Sequence, residues 1–217
     1  VISLLQNDVY EQKKIHFVES LPRLLTAVAT LSGQLLNVSA LSKKLQMNRN
    51  TILQYLSLLE RQFLIERVPA WHTNRMKRLI KTPKIHVGDS GLACSLLGID
   101  AHDLKNDPNL LGHLMESFVL QELSRQASTS QKSYKFYHYR DRDNLEVDMI
   151  IEMGGFQLVG IKIKTGASIF GSDFTGLRKI KDAHEDRFKC GVLLYDGELC
   201  ASYGDDIYAV PIRMLWE

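Results

Sequence analysis

The chain has 217 residues, of which 45% are hydrophobic, and its 27 Lys and Arg against 25 Asp and Glu leave a net charge of +2. This is ample for a buried core in one large or two small domains. No apolar run approaches the roughly 18 residues that a membrane span needs and no signal-peptide pattern opens the sequence, so a cytoplasmic protein without a membrane partner is expected. Cys94, Cys190 and Cys200 are an odd number with no C-x-x-C pair, which argues for reduced thiols and against a zinc site or disulfide framework. Charge is uneven: residues 1–100 carry 13 basic and 7 acidic side chains and residues 101–217 carry 14 and 18, a split that suggests two modules with different partners. The opening VISLLQNDVYEQKK reads as part of an amphipathic segment, as expected of a fragment, and no G-x-x-x-x-G-K-[ST] phosphate loop occurs.

From Asp8 to Leu31 the pattern is helical, with Leu21, Leu24, Leu25, Val28 and Leu31 at three- and four-residue spacing and Gly33 as the stop. A second helix is predicted over Ser39–Leu45 with Ser39 as N-cap, and a third over Asn50–Gln62 with Ile52, Leu56 and Leu59 inward and Arg49, Asn50, Gln54 and Ser57 outward. A short helix, a turn at Gln46 to Asn48 and a longer helix are helix-turn-helix logic. Phe63–Val68 and Met76–Val87 read as two strands of a wing around Ala70–Arg75, and Arg75, Lys77, Arg78, Lys81 and Lys84 occur there without an acid, a set suited to phosphate or to an acidic protein surface. Asp89 and Ser90 start a helix ending near Leu97, and Gly98–Pro108 has linker composition.

The second half opens with a helix over Leu111–Gln126, bearing Glu116, followed by a strand over Ser133–Tyr139. An alternating strand through Val147, Met149 and Ile151, a turn at Gly154-Gly155 and a returning strand over Phe156–Lys164 come next. Glu146 and Asp148 are two apart on the outgoing strand, and Lys162 and Lys164 on the returning one, so pairing sets carboxylates beside ammonium groups. A helix over Gly171–Ala183 and strands over Lys189–Tyr195, Leu199–Tyr203 and Ile207–Val210 complete the chain. His138 and His184 lack ligand-spaced neighbours, and the Ser90 context is no nucleophile elbow.

YHYRDRDNLEVDMII, LVGIKIKTGAS and SDFTGLRKI, together with KTPKIHVGDSGLACSLLGI and LLGHLMESFVLQEL upstream, resemble in order and spacing the C-terminal region of prokaryotic AAA+ type P-loop ATPases. The resemblance implies an α+β chain: a helical winged-helix module (residues 1–98), a linker (99–110) and a restriction-endonuclease-like, PD-(D/E)xK-type α/β domain (111–217). In an active nuclease of that type, acids hold Mg²⁺ and a lysine orients the attacking water. Carried over, Glu116 is the helix acid, Asp148 the strand acid and Lys164 the lysine, but Lys162 stands where the pattern has Glu. An ammonium there weighs against Mg²⁺, so Lys162 is expected to pair with Asp148 and Glu116, with no metal held unless Glu146 joins Asp148 and Glu116.

The implied function is recognition of nucleic acid or a protein by a degenerate nuclease-like fragment, its DNA contacts drawn from Arg49, Asn50, Arg75, Lys77, Arg78 and Lys81. ATP enters only through an absent N-terminal ATPase module. Two alternatives stay open: an active metal-dependent nuclease using Glu116, Glu146, Asp148 and Lys164, and a purely protein-binding regulatory module.

Overall fold

The computed structural model describes residues 20–216. Helix α1 (Ser20–Thr30) is the described part of the predicted Asp8–Leu31 helix, whose residues 8–19 lie outside the described residues. Leu21, Leu24, Leu25 and Val28 are fully buried, as a single apolar stripe requires. Helix α2 (Val38–Leu45) is capped by Asn37, which accepts from the Ala40 N–H at 2.9 Å, rather than by Ser39. Gln46 then turns in a left-handed conformation (φ 54°), and Asn48 caps α3 (Arg49–Arg61) by accepting from the Asn50 N–H at 2.8 Å. Tyr55 and Leu58 join the expected Ile52, Leu56 and Leu59 in the core.

These helices pack on a three-stranded antiparallel sheet, order β1-β3-β2, made of β1 (Gln34–Leu35), β2 (Ile65–Val68) and β3 (Lys84–Val87). The strand expected over Met76–Val87 is instead a helix, α4 (Arg75–Ile80), followed by β3. Asn74 caps that helix through the Met76 N–H, its next residues are unbranched helix formers, and Pro83 disfavours helical backbone at Thr82. Helix α5 (Ser90–Leu97) begins at the predicted Asp89 cap and ends at Gly98 (φ 65°). The expected linker is also structured. Asp100 and Asp103 form a capping box that starts α6 (Ala101–Asn106), and Asp107 with Pro108 starts α7 (Pro108–Ser128).

The second sheet has six strands in the order β4-β5-β6-β7-β9-β8: β4 (Lys135–Arg140), β5 (Glu146–Glu152), β6 (Leu158–Lys164), β7 (Phe188–Tyr195), β8 (Ala201–Ser202) and β9 (Ile207–Pro211). The first three are antiparallel, and α8 (Thr175–Ala183) carries the chain to β7, which runs parallel to β6. Val119 and Leu120 of α7 pack with Met149, Ile151 and Ile161, while Leu177 and Ile180 of α8 pack with Val147, Ile150 and Leu158. Val147 therefore belongs to a different core from Met149 and Ile151. A register shift opposite Tyr137–Tyr139 breaks the alternation that the sequence suggested, and Asp148 sits at the break.

The two halves are joined by more than a covalent connection. Beyond β2, Ala70 bridges His138 of β4: the Trp71 N–H donates to the His138 carbonyl at 2.7 Å and the His138 N–H to the Pro69 carbonyl at 3.0 Å. Nearby, the Ser32 and Ser117 hydroxyls lie 2.7 Å apart, Ser32 Oγ accepts from the Val87 N–H, and His86 Nδ1 is 3.0 Å from Ser117 Oγ. A buried polar network of this kind persists because its members satisfy one another. Among the described residues no helix is long and apolar enough to cross a membrane. The architecture is a mixed α+β fold.

Candidate functional site

Four elements deliver charged side chains to one place, where β5 meets β6 under α7. Asp148 of β5 has a side chain only 2% exposed; Lys162 Nζ lies 2.8 Å from its Oδ1, and the Ile163 N–H donates to its Oδ2 at 2.7 Å. The carboxylate thus takes one ammonium and one main-chain donor from β6. Glu116 of α7 is not held by Lys162. It receives Lys84 Nζ at 2.7 Å, and the same ammonium lies 2.6 Å from Glu146 Oε1. Lys164 turns away to Asp173 Oδ2 at 2.7 Å, an oxygen that also accepts from the Phe170 N–H. The structure therefore brings Glu116, Glu146, Asp148 and Lys162 together, adds Lys84 from the first sheet, and gives Lys164 its own acid.

The cluster contains three carboxylates and two ammonium groups, one negative charge in excess. Burial, followed by the neighbouring Asp148 carboxylate, pushes Glu116 up to about 7 and outweighs the pull of Lys84. The surplus is relieved by holding a proton there. Lys84 moves the other way: burial opposes its charge, but Glu116, Asp148 and Glu146 together raise it well above the usual lysine range. Lys162 is also raised, with Asp148 overcoming desolvation, and Glu146 is lowered because Lys84 overcomes the effect of burial. His86, buried beside Lys84, is depressed to about 3 and stays neutral.

A hard divalent cation needs several carboxylate oxygens turned toward one point about 2.0–2.6 Å from each. Here every acid of the cluster already has an ammonium nitrogen at 2.6–2.8 Å. Among the described residues no three His, Cys, Asp or Glu side chains converge on a point that could hold a metal ion. The residues do not fit Mg²⁺, Glu146 included.

The candidate nucleic-acid residues separate into two groups. Arg49 and Asn50 are exposed at the first turn of α3, beside exposed Lys43 and Lys44 at the end of α2. Arg75, Lys77 and Lys81 are exposed on or just after α4, but Arg78 is not available to a phosphate. Its guanidinium is buried and holds both oxygens of Glu152, at 3.2 and 2.9 Å, with Arg187 on the same carboxylate at 3.4 Å. The basic segment thus in part faces the second half of the chain. Glu152 and Arg187 are not among the residues expected at a site, and Lys84 is expected only as a basic wing residue, not as the partner of Glu116 and Glu146. For Lys84 a signal existed: a lysine heading a short strand that carries Ile85 and Val87, where burial demands a counterion.

The chain is similar to two curated proteins, "Uncharacterized protein Mb2031c" of Mycobacterium bovis and "Uncharacterized protein Rv2008c" of Mycobacterium tuberculosis, each 29% identical over 188 residues. The match takes in 86% of this chain and 40% of each relative, so the chain spans less than half the length of these proteins. No solved structure matches it. Residues 1–103 match the family described as "Domain of unknown function (DUF8612)", and residues 111–215, which carry Glu116, Glu146, Asp148, Lys162 and Lys164, match "Domain of unknown function (DUF4143)".

Proposed function

We propose that this chain is a recognition module of the cytoplasm, built from a winged-helix unit and a restriction-endonuclease-like domain that has kept its fold and lost hydrolysis, and that it works as the C-terminal part of an AAA+ type ATPase. The observation that carries the loss of hydrolysis is Lys162 Nζ at 2.8 Å from Asp148 Oδ1, with Lys84 closing Glu116 and Glu146. Two lysines occupy the positions from which a metal would be bound. The element order supports the nuclease-like reading: a helix, three antiparallel strands, a helix, and a strand parallel to the third.

Nucleic acid is the ligand this reading assigns to the first half. The first turn of α3 presents Arg49 and Asn50 outward, as a recognition helix would. Between residues 20 and 64 there are five basic side chains, Arg23, Lys43, Lys44, Arg49 and Arg61, against Glu60 alone, and Glu60 is paired with Arg67. The test is incubation of the purified chain with short duplex DNA and supercoiled plasmid, with Mg²⁺ or Mn²⁺. Salt-dependent binding without cleavage is expected, and Asp148→Ala should leave binding unchanged. Cleavage that disappears in Asp148→Ala would overturn the silenced-hydrolase reading, and absence of binding at low salt would overturn the choice of ligand.

A further inference from the structure

The groove between the start of α4 and the turn from β5 to β6 holds more positive charge than the fold uses. It has a volume of about 420 Å³, and its wall carries three arginines, Arg75, Arg78 and Arg187, against two acids, Glu152 and Asp186. Arg78 cancels Glu152 by donating to both carboxylate oxygens, at 3.2 and 2.9 Å, so neither is open to a ligand. Arg187 is then in surplus, since it reaches the same carboxylate only at 3.4 Å. Arg75 is exposed, and among the described residues its guanidinium has no ion pair or hydrogen bond, only the Phe156 ring 4.5 Å away.

Phe156 organises the two cations that remain. Its ring takes Arg75 at 4.5 Å and Arg187 at 5.9 Å from the centroid, and its carbonyl accepts from Arg187 Nε at 2.9 Å. With Nε fixed there, Arg187 keeps N–H groups to offer, because a guanidinium has five. Phe156 holds this position in a left-handed backbone conformation (φ 62°), which a bulky aromatic residue rarely adopts. Burial does not account for it, since the side chain is 51% exposed. A strained residue that gathers two guanidiniums at the surface points to a use at the surface.

We propose that this groove binds the terminal phosphoryl group of a small molecule, with Arg75 and Arg187 donating to its oxygens and the Thr73 hydroxyl, on the same wall, as a further donor. Guanidinium is the side-chain cation whose planar fork matches phosphate oxygens, and a phosphoryl dianion has charge for two of them where a carboxylate has charge for one. The groove is larger than a phosphoryl group, and the Phe156 ring gives the rest of the ligand an apolar wall. Asp186 opposes the anion, and sets the site against a long polyanion laid across it more than against a single phosphoryl group. This inference is independent of the reading of the acid cluster and of the α3 surface.

The probe is inorganic phosphate, titrated calorimetrically into the full chain at an ionic strength held constant with sodium chloride. Saturable binding of one phosphate per chain is expected, with a rise in Tm. Arg75→Ala should weaken it at least tenfold, and Asp186→Asn should tighten it by removing the opposing charge. Because both replaced side chains are exposed, the variants should melt with the unmodified chain in chloride alone, which separates lost binding from lost folding. Arg49→Ala should bind phosphate unchanged, which separates this groove from the α3 surface. No saturable binding, equal binding by Arg75→Ala, or weaker binding by Asp186→Asn would overturn the proposal. Duplex DNA that displaces phosphate and is itself lost in Arg75→Ala would overturn it in favour of nucleic acid.

Discussion

Replacing Lys162 by glutamate tests the proposed silenced site most directly, because it puts a carboxylate where the nuclease-like reading expects one. The native cluster carries three carboxylates and two ammonium groups, a net of −1; the variant would carry four and one, a net of −3. Breaking a buried pair by removing one partner costs about 3–5 kcal/mol, and the 30% exposure of the Lys162 side chain places this case at the lower end, about 3 kcal/mol. For a chain of this size that is a fall in Tm of roughly 6–12 °C, read by circular dichroism. The fourth carboxylate also creates a demand for a cation. With Mn²⁺ at 100 times its Kd, binding to the folded state alone returns about 2.7 kcal/mol, most of the loss. Lys162→Met serves as control, being destabilised with little response to Mn²⁺, and the native chain should shift little. If Lys162→Glu melts with the native chain and ignores Mn²⁺, or if the native chain responds to Mn²⁺ as strongly, the reasoning fails.

Glu116 sets a pH dependence. Its proton is held to about pH 7 in the folded state and to about 4.5 otherwise. The folded state thus binds the extra proton between these values, so this group's contribution to stability falls as pH rises from about 4.5 to about 7, by roughly 3 kcal/mol. Glu116→Gln should flatten the difference in urea-unfolding free energy between pH 5 and pH 8; an unchanged difference refutes the assignment. Arg78→Met leaves the buried Glu152 carboxylate only the more distant Arg187, and chemical denaturation should register a loss of about 3 kcal/mol, much of it recovered in Arg78→Met/Glu152→Met. A double variant no better than the single one would contradict the ion-pair account. Arg49→Ala should leave Tm unchanged and reduce the salt slope of duplex binding by about 1 between 50 and 200 mM salt, measured by anisotropy. An unaltered slope removes Arg49 from the contact.

What the sequence made legible was local. The stripe Ile52, Leu56, Leu59 has helical period, Asp89 caps where an Asp before a small residue should, and the turn at Gly154 separates two strands as a hairpin needs, whereas the register shift that parts Val147 from Met149 and Ile151 had no local signal. Helix α4 escaped because six residues are too few to establish a period, and its buried position holds an arginine. The span after Gly98 escaped because Asp, Asn and Pro are both linker residues and the residues that begin helices. The pairing of Asp148 with Lys162 follows from strand register, whereas Lys84 could not be placed beside Glu116, 32 residues away, before two sheets were assembled. Whether Lys164 would face Asp148 or Asp173 was likewise decided by tertiary packing, since the segment Phe170–Phe174 lays Asp173 over the end of β6.

The lacing of Pro69–Trp71 to β4 has a mechanical meaning. One sheet cannot tilt against the other without breaking main-chain bonds at His138 and drawing the Lys84 ammonium out from between two carboxylates. Force applied to one half would therefore meet a stiff body with an electrostatic catch at its centre and arrive at the other half with little slack.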